Sequence, residues 1–295
     1  MASGFIPRGI YVPHVTPFTS KGEIDEQGLR TLIRFWIEAG VHGLVPCGSN
    51  GEAPYLTRME RKAVIQQVVE AVKGRVKVIA GTGSISTAET VDFSKDAQEV
   101  GVDALLVVTP YYFKPGRNEL LDHYTEVVRA VDLPVMLYNV PKFTGFNLEP
   151  SIVAELAKDE QVIGVKDSSG EINQIAETIR LTRWREDFSV MAGTGNVIFP
   201  TLMLGGKGAV VAVANAFPHE CVQIYDSWEK GDIATARDLQ LSILEANRLL
   251  TAKYGVVAVK EALNLLGLPG GYPRKPLQPL TAEAREEIAK LLPKR

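Results

Sequence analysis

The chain has 295 residues, of which 45% are hydrophobic and 23% charged, and its 32 basic and 35 acidic side chains give a formal net charge of −3. This composition excludes a largely disordered protein. The near-neutral charge, with no run of basic residues, argues against a nucleic-acid partner. The apolar runs are much shorter than the ~20 residues that a membrane helix needs, and MASGFIPRG at the start lacks a signal-peptide core. We therefore expect no membrane contact and a cytoplasmic location.

Eight short apolar runs are followed by segments in which apolar residues recur every three or four positions. The runs are apolar on both faces, as buried parallel strands are, and the segments between them indicate one-faced helices. Eight such alternations in one chain favour a (β/α)8 TIM barrel over an open doubly wound sheet. The predicted strands span 10–15, 43–47, 76–80, 104–109, 134–138, 162–166, 189–192 and 209–213.

The helical segments show where they begin and how far they extend. Thr57 with Glu60, and Ser86 with Glu89, have the spacing of a capping box at a helix start. After the eighth strand the helical pattern of residues 218–266 is far longer than one barrel unit requires, and 283–292 adds a last helix. We predict a barrel over 1–217 and a C-terminal helical extension over 218–295, packed on the barrel or on a partner subunit.

In such a barrel the reacting groups lie at the C-terminal ends of the strands. Lys166 closes the sixth apolar run, so its stem should point into the barrel near the rim. An amine kept neutral in a desolvated site can attack a carbonyl and form an imine. The alternative is a lysine that reaches solvent or pairs with Asp167. Lys77, at the start of the third strand, lies at the end of the barrel where stability rather than chemistry is expected.

Other strand ends place hydroxyls and glycines on the same face. Tyr138 closes the fifth strand, next to Lys166 in the barrel, and its phenol could relay protons or could be a core tyrosine. Tyr111 and Tyr112 follow the fourth strand and could equally be interface aromatics. The turn Gly48-Ser49-Asn50-Gly51 offers free backbone N–H groups that suit a carboxylate, although it could be a plain connecting turn.

Other chemistries have weaker support. The four histidines show no metal-site spacing, so we expect no metal. No dinucleotide fingerprint or P-loop motif occurs, and phosphate binding by the glycines at 195 and 205–206 is the remaining alternative. Cys47 and Cys221 lie in unrelated segments and indicate reduced, buried thiols.

Taken together, the strand ends resemble the pyruvate-dependent class I aldolases and lyases that include N-acetylneuraminate lyase and dihydrodipicolinate synthase. The likeness covers nearly the whole chain, from Gly9-Ile10 to Pro276-Leu277. Its most specific motifs are Gly48-Ser49-Asn50-Gly51-Glu52, Thr109-Pro110-Tyr111-Tyr112, Tyr138-Asn139-Val140-Pro141 with Thr144-Gly145, and Gly164-Val165-Lys166-Asp167.

The resemblance implies a (β/α)8 barrel with a C-terminal helical extension, usually a homotetramer, that needs no metal or organic cofactor. Lys166 would form the Schiff base with pyruvate, and Tyr138 would shuttle protons. Ser49 would link Tyr138 to Tyr112, which in this family often enters from a neighbouring subunit. The remaining substrate-binding positions implied by the family are Gly48, Asn50 and Gly51 for the pyruvate carboxylate, Gly193 and Val210 through their carbonyls, and Phe143 and Thr144.

Two departures bear on the second substrate, a small aldehyde or 2-oxo acid. Asn50 stands where many members have threonine, and it keeps a hydrogen-bonding side chain. Phe143 stands where dihydrodipicolinate synthases carry the arginine for the semialdehyde carboxylate. The Gly48-Ser49-Asn50-Gly51-Glu52 turn and the Gly270-Gly271 segment look more like 4-hydroxy-2-oxoglutarate aldolases. The first interpretation is an aldolase for 4-hydroxy-2-oxoglutarate or for a 2-keto-3-deoxy sugar acid. Alternatives are dihydrodipicolinate synthase, a non-catalytic barrel that binds a 2-oxo acid, and a phosphate-binding isomerase, for which no strand-end Glu or His is found.

Overall fold

Eight parallel strands close into a barrel in the computed structural model, which describes residues 4–292. Each strand pairs with the next in the chain, and the first pairs with the eighth. The predicted (β/α)8 barrel is therefore confirmed. The strands are β1 Gly9–Val12, β2 Gly43–Leu44, β3 Lys77–Gly81, β4 Ala104–Val108, β5 Val135–Asn139, β6 Val162–Asp167, β7 Ser189–Ala192 and β8 Gly208–Val210.

Helices follow every strand and surround the barrel. A run from Leu244 continues as a π-helix over Arg248–Lys253. The α-helices are α1 Glu26–Glu38, α2 Arg58–Val72, α3 Thr87–Val100, α4 Arg117–Arg129, α5 Pro141–Thr144, α6 Pro150–Leu156, α7 Ile172–Thr182, α8 Ile198–Met203, α9 Pro218–Glu229, α10 Ile233–Ser242, α11 Leu244–Asn247, α12 Val256–Leu265 and α13 Ala282–Ala289.

Three strands, β1, β2 and β8, are shorter by two or three residues than the apolar runs that predict them. β1 ends before Pro13, and β2 ends two residues before Pro46. Proline has no N–H to donate to a ladder, so the chain leaves the sheet near these positions. β8 ends at Val210 because the backbone turns into a short 3₁₀ helix over Ala212–Asn215.

One of the two predicted capping boxes forms completely. Thr57 accepts a hydrogen bond from the Glu60 N–H, and the Glu60 carboxylate accepts from the Thr57 N–H at 2.8 Å. Ser86 caps α3 in the same way, but the carboxylate of Glu89 bonds the hydroxyl of Ser84 instead. Only half of the second predicted box forms, because the Ser84 hydroxyl, and not the Ser86 N–H, donates to the Glu89 carboxylate.

Side chains alternate along each strand between the barrel interior and the layer under the helices. The interior is packed with apolar side chains, as in other barrels of this size. The buried interior cluster comprises Tyr11, Val45, Ile79, Ala104, Leu106, Met136, Tyr138, Val140, Ile163, Met191 and Val210.

The C-terminal helices begin with α9, which packs against β1. Cys221 of α9 is fully buried, and the ring of Tyr225 contacts that of His42 edge-on at 5.0 Å. The predicted boundary between barrel and extension, at 217/218, stays a prediction. Residues 1–3 of the predicted barrel and 293–295 of the predicted extension lie outside the described residues. Both cysteines are free and buried, as expected. Over residues 4–292, none of the helices is long and apolar enough to span a bilayer.

Candidate active site

An irregularity in β6 decides where Lys166 points. Val135 of β5 pairs with Val162, whereas the next residue, Met136, pairs with Gly164, so Ile163 has no partner. Such a bulge changes which side chains face inward. Ile163 lies in the barrel interior and Val165 under the helices, and Lys166 again faces inward. With regular alternation from Ile163, the lysine would face the helices.

The Lys166 amine is buried beside the ring of Tyr138. Only 2% of the Lys166 residue surface is exposed, and Nζ lies 4.0 Å from the Tyr138 ring centroid. The two residues are register partners on β5 and β6. Neither alternative for Lys166 holds, since the side chain does not reach solvent and no carboxylate within residues 4–292 pairs with it.

Asp167 is engaged elsewhere. Its carboxylate accepts hydrogen bonds from Gln174 Nε2 at 2.6 Å and Asn139 Nδ2 at 3.1 Å, as well as from the N–H of Ser169 at 2.8 Å. Asn139 also accepts from the Leu148 N–H at 2.9 Å. These bonds tie the ends of β5 and β6 to their loops and hold the carboxylate away from the Lys166 amine.

A hydroxyl chain begins at Tyr138. Its phenol oxygen lies 3.4 Å from Ser49 Oγ, and 5% of Tyr138 is exposed. Ser49 opens a 3₁₀ turn over Ser49–Gly51, which lies in the loop between β2 and α2. The structure thus brings together Lys166, Tyr138 and Ser49, the first three residues of the predicted catalytic set.

The predicted carboxylate turn has a strained backbone at both ends. Cys47 has φ of 56° and Glu52 has φ of 54°, both in the left-handed region that non-glycine residues rarely adopt. The Gly51 carbonyl accepts from Thr16 Oγ1 at 2.8 Å. Among residues 4–292, no acceptor is bonded to the N–H groups of Ser49 and Asn50. The turn can therefore offer two backbone donors to an anion.

The two predicted carbonyl positions lie at neighbouring strand ends. The Gly193 N–H donates to Asp167 O at 2.7 Å, and its own carbonyl accepts from Ser168 Oγ at 3.1 Å. Val210 is fully buried in the barrel interior. Gly193 directly follows β7, which pairs with the Lys166 strand β6, and Val210 ends β8, which pairs with β7.

The loop after β5 carries the predicted specificity residues. Phe143 is 61% exposed on α5. Thr144 is buried, and its hydroxyl lies 2.9 Å from the carbonyl oxygen of Phe146 and 3.2 Å from that of Val140. The Thr144 hydroxyl therefore closes its own loop, while the Phe143 ring is free to meet a substrate.

Tyr112 is the most exposed of the predicted site residues. It is 86% exposed, has φ of 92°, and contacts the ring of Phe113 at 5.2 Å. In the part of the chain that the structure describes, no hydrogen bond joins it to Ser49. A single chain thus leaves Ser49 without the third hydroxyl that the family pattern implies.

Sequence reasoning missed the partners of Glu52. This carboxylate is 2% exposed, pairs with the Lys260 amine and accepts from the Arg274 N–H at 2.8 Å. A signal was present, because Lys260 interrupts the apolar sequence of α12, VVAVKEALNL. A charged residue on a buried helix face requires a buried partner.

The opposite end of the barrel, where the strands begin, holds a cavity and an ion pair of Lys77. A cavity of about 840 Å³ opens there, lined among others by Phe5, Tyr11 and His42. Lys77 at its edge pairs with Asp103 at 2.6 Å. This cavity is remote from Lys166, which closes the other end of its strand. Across the described chain, no three His, Cys, Asp or Glu side chains cluster as metal ligands would, and the expected absence of a metal stays a prediction.

Comparisons with known proteins agree with the fold and the motifs. Residues 6–295 match the model of the dihydrodipicolinate synthetase family. A 4-hydroxy-tetrahydrodipicolinate synthase of Methanospirillum hungatei is 40% identical over 96% of this chain and 98% of its own. One of Methanopyrus kandleri is also 40% identical, over 98% and 95%.

Solved structures give the same result. Dihydrodipicolinate synthase from Thermotoga maritima superposes with a TM-score of 0.94 at 34% identity, covering 97% of this chain and 98% of that one. YagE, a prophage protein of the dihydrodipicolinic acid synthase family from E. coli K12 in complex with pyruvate, gives 0.93 at 35% identity, covering 96% and 97%.

Proposed function

Starting from the fact that this chain belongs to the dihydrodipicolinate synthetase family of lyases, we propose that it is a Schiff-base enzyme acting on pyruvate. The observation that carries the proposal is the buried Lys166 amine, free of any carboxylate in the described chain and 4.0 Å from the Tyr138 ring. A non-catalytic 2-oxo acid binder would not need an amine, a phenol and a hydroxyl in contact.

The proposed reaction uses groups of the chain itself. The Lys166 amine attacks the ketone carbon of pyruvate in its deprotonated form, and Tyr138 supplies the proton with which the carbinolamine oxygen leaves as water. The resulting iminium withdraws electrons from the neighbouring methyl group, which gives a proton to the Tyr138 phenolate and becomes a nucleophilic enamine. The enamine carbon adds to the aldehyde carbon while the aldehyde oxygen takes the proton back from Tyr138, and water then adds to the iminium and releases the product from Lys166. Cleavage is the same sequence reversed.

The pyruvate carboxylate has a place in this scheme. The N–H groups of Ser49 and Asn50 have no acceptor within the described chain, and the Ser49 hydroxyl of the same turn lies 3.4 Å from the Tyr138 phenol oxygen. Two backbone donors at the start of a turn suit a carboxylate without a charged side chain that could compete for the amine.

For the second substrate, the first candidate is the aspartate semialdehyde of the 4-hydroxy-tetrahydrodipicolinate synthase reaction. Curated relatives about as long as this chain, at 40% identity, carry that name. They favour this alternative over the interpretation that the sequence motifs put first.

The second candidate is a 2-keto-3-deoxy sugar acid or 4-hydroxy-2-oxoglutarate, of which the latter has a distal carboxylate and would need a cation from elsewhere in the chain. Phe143 favours a sugar acid whose aldehyde fragment has no carboxylate, since its uncharged ring, 61% exposed, stands where the family resemblance places the arginine of dihydrodipicolinate synthases. Its neighbour Lys142 donates to the carbonyls of Thr251 and Ala252. Phe143 is uncharged and the Lys142 amine is already hydrogen-bonded, so these two positions offer no unengaged cation for a carboxylate.

The chain is further proposed to act as a cytoplasmic homotetramer without a cofactor. The exposed Tyr112 supports an interface, since it lacks any hydrogen bond to Ser49 within the described chain. The Lys166 iminium is itself the electron sink that the reaction requires, which supports catalysis without an organic cofactor.

Trapping tests the proposal directly. Pyruvate with borohydride should leave a reduced pyruvyl adduct on Lys166 in a peptide map. Lys166→Ala should lose the adduct and activity by several orders of magnitude, while Lys142→Ala, from the neighbouring loop, should keep the adduct. An adduct on another lysine, or none, rules out the proposed chemistry.

Substrate choice is tested by kcat/KM values measured side by side. If pyruvate with aspartate semialdehyde gives the highest value, the chain is a 4-hydroxy-tetrahydrodipicolinate synthase. If 4-hydroxy-2-oxoglutarate or a 2-keto-3-deoxy sugar acid gives a higher value, the second candidate is correct. Phe143→Arg separates them again, because a charge-assisted pair is worth about 1.5–3 kcal/mol. It should raise kcat/KM for the semialdehyde roughly 10- to 100-fold only if the parent lacks a carboxylate site.

A further inference from the structure

We propose that the C-terminal extension positions the carboxylate-binding turn of the active site, with Lys260 and Arg274 holding Glu52 as a buried anchor. The inference rests on the proposed function in assigning the pyruvate carboxylate to that turn. It makes Lys260 a positioning residue, since it acts through Glu52 and does not touch the substrate.

Glu52 needs an anchor because its backbone is strained. Its φ of 54° and ψ of 35° are left-handed, and it joins two 3₁₀ turns, Ser49–Gly51 and Ala53–Tyr55. Its N–H donates to Ser49 O at 3.2 Å, and its carbonyl accepts from the Tyr55 N–H at 2.8 Å. Such a conformation persists in a non-glycine residue only where the surroundings enforce it.

The surroundings of the Glu52 side chain come from the far end of the chain. The Lys260 amine on α12 pairs with Oε1, donates to Tyr272 O at 2.7 Å and lies 4.3 Å from the centroid of the Phe18 ring. The N–H of Arg274 donates to Oε2 at 2.8 Å. Burial lowers the pKa of Lys260 to about 8, against the opposing effect of Glu52.

Arg274 fastens the same segment to the start of α2. Its guanidinium makes two bonds to the Glu60 carboxylate, at 2.7 and 2.9 Å, and donates to Tyr55 O at 2.8 Å. It also lies 4.2 Å from the centroid of the Phe18 ring, so Phe18 contacts both cations. These bonds hold the pKa of Glu60 at about 2.

The anchor is only a few bonds from the proposed carboxylate donors. Glu52 follows Gly51 directly, and the Ser49 carbonyl accepts from the Glu52 N–H. Because the Ser49 carbonyl and the Asn50 N–H belong to one peptide group, a shift of Glu52 should turn this peptide and disturb the adjoining one that carries the Ser49 N–H. Loss of the anchor should weaken pyruvate binding more than proton transfer, because both proposed carboxylate donors lie on the turn, whereas Tyr138 and Lys166 stand on separate strands and only Ser49 of the hydroxyl chain moves with the turn.

The test compares Lys260→Met with Lys253→Met, which breaks an exposed ion pair with Glu287 in the same extension. Lys260→Met should raise KM for pyruvate at least tenfold with kcat within threefold of the parent. Lys253→Met should leave both within twofold. Equal KM values for the parent and Lys260→Met would overturn the proposal.

A second variant guards against loss of folding. Glu52→Gln/Lys260→Gln removes both charges while keeping side chains that can bond to each other, so no unpaired charge is buried. It should fold and still show the rise in KM, because an amide pair holds the strained turn less firmly. A folded double variant with the parent KM would refute the positioning role.

Amide hydrogen exchange separates this inference from the proposed function. In both Lys260 variants the amides of residues 48–55 should exchange at least tenfold faster than in Lys253→Met, whether or not pyruvate is a substrate. If the parent traps no pyruvate, the proposed function fails and the exchange result still decides the anchor. Unchanged exchange in 48–55 counts against the anchor.

Discussion

The phenol of Tyr138 contacts two groups of different chemistry, the Lys166 amine under its ring and the Ser49 hydroxyl at its oxygen. Tyr138→Phe keeps the ring and removes the proton carrier, so kcat should fall by about 10²–10⁴-fold with little change in KM. Steady-state kinetics with pyruvate check this. Tyr225→Phe is the matched control, since its buried phenol on α9 donates to Glu229 Oε1 at 3.1 Å and not to any group of the proposed site. If both variants lose equal activity, Tyr138 acts only in packing.

Two buried histidines make the fold sensitive to acid. Burial lowers the pKa of His14 and of His123 to about 4, from an ordinary value of 6.5. Between those pH values the unfolded chain binds protons that the folded chain does not, so the free energy of unfolding falls as the pH drops from 6.5 to 4. Each histidine should contribute up to about 3 kcal/mol to this loss.

Urea unfolding at pH 7 and pH 4 measures the effect. His123→Gln should reduce the difference between the two free energies of unfolding, whereas His219→Gln, at an exposed position, should leave it unchanged. An undiminished difference in His123→Gln would show that other groups cause the acid sensitivity.

At the level of elements, Gly164 directly follows the unpaired Ile163 of the β6 bulge and lies tight against β7. A Cβ at this position would lie 2.3 Å from the Ser189 carbonyl oxygen, so Gly164→Ala must push β6 away from β7. A displacement near 1 Å at the Lys166 amine can cost about 10²-fold in rate. We expect a loss of kcat of that size with the barrel retained by circular dichroism.

Gly116→Ala is the control for Gly164→Ala. Gly116 has an ordinary φ of −75°, and a Cβ there would meet only Glu119 Oε2 at 3.5 Å. This variant should keep the parent kcat. Full activity of Gly164→Ala would mean that the strand can absorb a methyl group without turning Lys166.

The elements differ in how far sequence could predict them. The buried strands and the Thr57 cap follow from local patterns, and so do the positions of Lys166 and Tyr138 at strand ends. The bulge could not be predicted, because only pairing with β5 shows that Ile163 is skipped. The Glu52–Lys260 pair could not be predicted either, since nothing local specifies which buried acid meets a buried lysine.

At the scale of the whole molecule, the exposed Tyr112 leads us to expect active sites that two subunits share. If it completes the hydroxyl chain of a neighbouring subunit, Lys166→Ala and Tyr112→Ala homo-oligomers should each be nearly inactive. Hetero-oligomers isolated with two affinity tags should regain activity, because a site with both residues intact forms between unlike chains. Mixed oligomers that stay inactive would place Tyr112 outside the site, and so would full activity of Tyr112→Ala.

The bond between the Arg274 N–H and Glu52 spans 222 positions of the chain. During synthesis on a ribosome, β1 to β8 leave the exit tunnel before Lys260 and Arg274 do. A nascent chain halted after residue 250 could therefore pair all its strands while the 48–52 turn still lacked both of its distant partners. Affinity for pyruvate would then reach its full value only on release of the finished polypeptide, so that a prematurely terminated chain, however well folded its barrel, would compete only weakly with complete molecules for substrate.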